Sequence, residues 1–69
     1  MPLSMMKAGD PGTVKKIGGR ADTRRFLENL GFVIGTIVTV VSELDGNMIV
    51  NVKDSRVAIG RDMANKILV

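Results

Sequence analysis

RRFLENLGFVIGTIVTVV, residues Arg24 to Val41, reads as one short amphipathic helix, a glycine stop, a tight turn and then a β-strand. Phe26, Leu27 and Leu30 fall on one apolar stripe at helical spacing. Gly31 supplies the left-handed residue that commonly ends a helix. Upstream, Asp22 is the expected N-cap, because its carboxylate can accept from the free amides of the first turn. The spacing predicts a helix of about two turns, with Arg24 and Arg25 in its first turn; so short a helix does not persist alone in water. It must dock on something.

The downstream half supplies the something. Thr36 to Ser42 is dense in β-branched residues, with Val38 and Val40 on one face and Ile37, Thr39 and Val41 on the other. Asp45-Gly46 is a strong hairpin turn, since both positions can take positive φ. Met48, Val50 and Val52 then alternate with Ile49 and Asn51. Lys53-Asp54-Ser55 reads as a second tight turn and Arg56 to Gly60 as a third short strand. Asp62 to Asn65 has the look of one helical turn, and Ile67 to Val69 of a closing strand. Before the helix, Gly9-Asp10-Pro11-Gly12 marks a turn, Thr13 to Ile17 a short strand with a wet face, and Gly18-Gly19 its end. Short strands joined by tight turns predict a mainly β, small closed barrel of SH3-like form with one inserted α-helix. Closure also removes exposed strand edges.

The chain has 69 residues, which predicts a single domain over residues 1–69, of a size that buries only about 60% of its unfolded surface. It has no cysteine, so no disulfide and no thiolate metal site can staple it. No apolar run approaches the roughly 20 residues of a membrane span, and MPLSMMKAGD lacks the basic start and apolar centre of a signal peptide. The expectation is a cytoplasmic protein without direct membrane insertion.

Histidine, cysteine, tyrosine and tryptophan are all absent, which removes the usual bases and nucleophiles near neutral pH. Ser4, Ser42 and Ser55 have no histidine to activate them. No enzyme is expected. The carboxylates Asp10, Asp22, Glu28, Glu43, Asp45, Asp54 and Asp62 are spread along the chain without imidazole to join them. Asp45-Gly46-Asn47 is too short for a calcium loop. No metal site and no cofactor are expected.

The net charge is +3, but acidic residues interrupt the basic ones, so the dense basic stripe of a nucleic-acid binder is missing. Two phenylalanines are the only aromatics, too few for base stacking or for a proline-rich ligand groove.

With these elements in place, the chain resembles the ferrous iron transport protein A (FeoA) family along nearly its whole length. The resemblance rests on Leu3, Gly9, Gly12, Val14, Ile17 and Gly19; on Arg24-Arg25, Leu27, Leu30-Gly31, Gly35-Thr36, Val38 and Val40; and on Val50, Val52, Arg56 to Ile59, Arg61, Ala64 and Ile67. Three positions depart from the family pattern: Ile34 stands where proline is usual, Asp54 where glycine is common, and Gly60 where a polar residue is frequent. The resemblance implies an SH3-like barrel that acts with the membrane ferrous iron transporter, whose cytosolic part is a GTP-binding domain.

Arg20, Arg24, Arg25, Phe32 and Val33 are the candidate partner-binding residues. A cation in the first helical turn opposes the macrodipole, and an acidic partner would offset that. The competing reading pairs Arg24 with Glu28 one turn on and leaves Arg25 solvated. The Phe26, Leu27 and Leu30 stripe reads as core rather than as interface. Phe32 is open between core and interface anchor. The alternatives to a transporter accessory are a small regulatory barrel that binds nucleic acid and a self-assembling structural module, with weak homo-oligomers in keeping with the small core.

Overall fold

The computed structural model describes residues 1–69 and contains six strands and two helices, arranged as an SH3-like barrel. β1 (Pro11–Thr13), β3 (Ile37–Leu44), β4 (Asn47–Val52) and β5 (Ser55–Gly60) form an antiparallel sheet in the order β1-β3-β4-β5. β2 (Lys16–Ile17) pairs with β6 (Ile67–Leu68) in a second, two-stranded sheet. α1 spans Ala21–Leu30 and α2 spans Arg61–Ala64, after a 3-10 turn at Leu3–Met5.

The alternation in the sequence sorts the strand faces as expected. Val38 and Val40 of β3 and Met48, Val50 and Val52 of β4 point into the core, while Ile37 and Asn51 face out. Asp45 and Gly46 take φ of 51° and 80° and close the β3–β4 hairpin as a two-residue turn. The register slips between Val40 and Ser42, a bulge that carries β3 beyond the expected Ser42 to Leu44.

The expected strand at Thr13 to Ile17 is corrected to two strands in different sheets. Val14 is buried between them, donates to the Thr36 carbonyl at 2.9 Å and accepts from the Gly35 amide at 2.8 Å. This is the corner where the chain leaves one sheet for the other.

α1 is also longer than expected, at ten residues, and starts earlier. Arg20 occupies the N-cap, without a side-chain bond, and Asp22 is inside the first turn, where its carboxylate accepts from the Thr23 amide at 2.8 Å. The C-terminal stop is a Schellman motif. Gly31 (φ 111°) donates to the Glu28 carbonyl, and Phe32 donates to the Leu27 carbonyl at 3.0 Å. That reversal drives Phe32 inward. It is fully buried in a core with Leu3, Leu27, Met48 and Ile67.

One ion pair is present, between Arg61 of α2 and Glu43 near the end of β3. No helix is long and apolar enough to cross a membrane.

Candidate functional site

The turn after α1 carries exposed apolar side chains. Thr36 donates to the Val33 carbonyl at 2.9 Å, and Gly35 has φ of 93°. Val33 to Thr36 is therefore a type II turn with Ile34 and Gly35 at its centre. Ile34 is 67% exposed, Ile37 just beyond it is 64% exposed, and Val33 is also exposed.

Because Val14 bonds to Gly35 and Thr36, the β1–β2 corner runs beside this turn. The result is a cleft of about 270 Å³ lined by Lys16 and Ile17 of β2, Arg24 and Glu28 of α1, and Val33 and Ile34 of the turn. Its floor is aliphatic. Its rim holds two cations and one carboxylate. Both cations are exposed and neither has an ion-pair partner within the chain, so both are free to meet an outside anion.

The five candidate residues divide. Arg24 and Val33 line the cleft together. Arg20 and Arg25 are exposed but lie outside its lining. Phe32 is buried, which corrects its place among the exposed contacts: the Schellman reversal leaves it no path to the surface.

Three further readings are corrected. With the helix beginning at Ala21, Arg24 closes the first turn of α1 and Arg25 opens the second, where the macrodipole penalty is reduced. Arg24 and Glu28 share the cleft but form no ion pair. Phe26, expected in the core stripe, is 50% exposed. Two residues beyond Arg24, it lies roughly 200° further round the helix, on the other flank.

Lys16, Ile17, Glu28 and Ile34 complete the cleft without having been singled out as contacts. The one local signal for Ile34 was a bare isoleucine at a turn position that favours proline. No three residues of the metal-ligating types converge anywhere in the fold. What the cleft offers is shape, aliphatic area and unpaired cations.

The FeoA domain family model matches the chain over residues 1–69. The chain is 37% identical over 68 residues to a Methanocaldococcus jannaschii protein assigned by name to Fe(2+) transport (protein A), covering 99% of this chain and 83% of that one. The crystal structure of an iron uptake regulatory protein (FeoA) superposes with a TM-score of 0.90 at 32% identity, over 97% of this chain and 91% of the other. A Stenotrophomonas maltophilia FeoA crystallised with zinc superposes with a TM-score of 0.85 over 99% of this chain and 87% of that one. That protein is characterised as a procaryotic SH3 domain and put forward as a ferrous iron transport activating factor. At 24% identity its likeness to this chain is one of fold.

Proposed function

The chain belongs to the FeoA domain family, and from that membership we propose that it is a non-catalytic, cytoplasmic accessory protein of ferrous iron uptake. It acts by contact with the cytosolic GTP-binding domain of the membrane ferrous iron transporter. The observation that carries the contact reading is the cleft between α1, β2 and the Val33–Thr36 turn. There, Arg24 and Lys16 stand without intrachain partners beside the exposed Val33 and Ile34. Unpaired cations around an aliphatic floor suit an acidic partner segment that carries a bulky apolar side chain.

The test is calorimetric titration of this protein into the transporter's GTP-binding domain, with and without nucleotide. Wild type, Arg24→Ala and Arg25→Ala are compared. Saturable binding that Arg24→Ala weakens about tenfold, the usual scale for a desolvated charge contact, while Arg25→Ala leaves it within about twofold, supports the reading. Equal losses at both positions move the interface off the cleft. Absence of binding in every nucleotide state, repeated with the full membrane transporter, overturns the partner itself.

A further inference from the structure

We propose that the cleft also takes the β3–β4 hairpin tip of a second copy of this chain, so that the protein associates head to tail. The occupant is the segment Glu43-Leu44-Asp45, at the far end of the same strand whose near end borders the cleft.

The two surfaces are complementary in kind. Leu44 is 64% exposed, although the residue type favours burial, and it stands between two carboxylates. Glu43 is held by Arg61 within the chain, whereas Asp45 has neither a hydrogen-bond nor an ion-pair partner. The tip therefore offers one aliphatic side chain and one free carboxylate. The cleft offers an aliphatic floor of Ile17, Val33 and Ile34 and the free cations Arg24 and Lys16, with Glu28 the one carboxylate on its rim. Seating Leu44 on that floor brings Asp45 to the cations and removes bare apolar area from water on both sides.

The contact cannot close within one molecule. β3 runs from Ile37, next to the turn that walls the cleft, to Leu44. At about 3.3 Å per residue its ends stand roughly 20 Å apart, and the tight Asp45-Gly46 turn lets the tip go no further back. The surfaces also differ from each other, so the contact is heterologous. A pair of copies keeps one tip and one cleft free, which permits chains or rings rather than a closed two-fold pair. The inference is independent of the transporter reading, since both surfaces belong to this chain.

Sedimentation equilibrium with Leu44→Asp, a tip variant, and Ile34→Asp, a cleft variant, tests it. Both positions are exposed, and far-UV circular dichroism checks that each variant keeps the fold; Arg24→Glu replaces Ile34→Asp should the latter unfold. The wild-type mass is expected to rise above the 7.4 kDa monomer with concentration, while each variant alone stays at that mass. An equimolar mixture of the two variants retains one intact tip and one intact cleft, so it is expected to stop at a twofold mass. A wild type that remains monomeric at millimolar concentration overturns the proposal. So do variants that associate as wild type does, or a mixture that gains no mass. None of these readouts involves the transporter, so they separate this contact from the one above.

Discussion

Phe26 and Phe32, the only two aromatic residues, lie on either side of the Gly31 stop and at opposite extremes of burial, 50% exposed against 0%. The helix ends between them, and the Schellman bond from the Phe32 amide to the Leu27 carbonyl turns the second ring into the core. Phe32→Ala is expected to cost about 3–5 kcal/mol. A domain of this size holds roughly 3–10 kcal/mol in total, so that variant should be largely unfolded or close to it. Phe26→Ala is expected to stay within about 1 kcal/mol of wild type. Urea denaturation of both variants checks the contrast.

Lys53 and Asp54 close the β4–β5 hairpin with φ of 49° and 63°, a left-handed pair built without glycine. Left-handed backbone costs an L-residue about 1–2 kcal/mol, less for aspartate than for lysine. The double variant Lys53→Asn, Asp54→Gly supplies the Asn-Gly pair that such turns favour. It is expected to gain about 1 kcal/mol, seen as a higher urea midpoint at unchanged slope.

Ile34 occupies the turn position where proline is best tolerated, and its amide donates no backbone bond. Ile34→Pro should therefore stabilise by about 0.4–1 kcal/mol, by narrowing the unfolded ensemble. The same change removes part of the aliphatic floor of the cleft. Stability should rise while affinity for a cleft ligand falls, and a melting curve beside a binding titration reads both. A fall in stability would mean that the turn needs the isoleucine.

Gly31 combines φ of 111° with close packing: a Cβ built there meets the Val52 Cγ2 at 3.3 Å. Gly31→Ala is expected to cost about 1–2 kcal/mol from the backbone alone, with further loss if Val52 cannot give way. Gly46→Ala, where nothing lies within 4 Å of the added Cβ, isolates the backbone part for comparison by denaturation.

The strands were legible because their information is local. A period of two put Val38, Val40, Met48, Val50 and Val52 inside, and Asp45-Gly46 marked the turn that joins them. What escaped was set by distant partners or by competing local options. The break between β1 and β2 is imposed at Val14 by bonds to Gly35 and Thr36. The helix start is ambiguous in sequence because Asp22 can satisfy the Thr23 amide from inside the first turn as well as a cap can from outside it. Helical periodicity assigns Phe26 to the core stripe, where it is instead half exposed, and it leaves Phe32 open because that residue has passed a reversal.

The cleft was half visible. Arg24 and Val33 both lie on the helix-turn-strand segment, yet their neighbours Lys16 and Ile17 arrive from β2, which the sequence does not tie to the helix. Arg24 and Arg25 are adjacent and equivalent in sequence. One helical step of about 100° separates them in space.

The pairing of β2 with β6 joins residues near opposite ends of the chain, whereas β3, β4 and β5 follow one another through two-residue turns. Loop closure is cheapest and fastest for the latter. The meander is thus expected to form first, and the Lys16–Leu68 and Ile17–Ile67 ladder to shut last. That seam contributes Lys16 and Ile17 to the cleft. Whatever fills the cleft also bolts the seam, so occupancy should appear as slowed amide exchange at Gly18, whose amide donates to the Lys66 carbonyl across it.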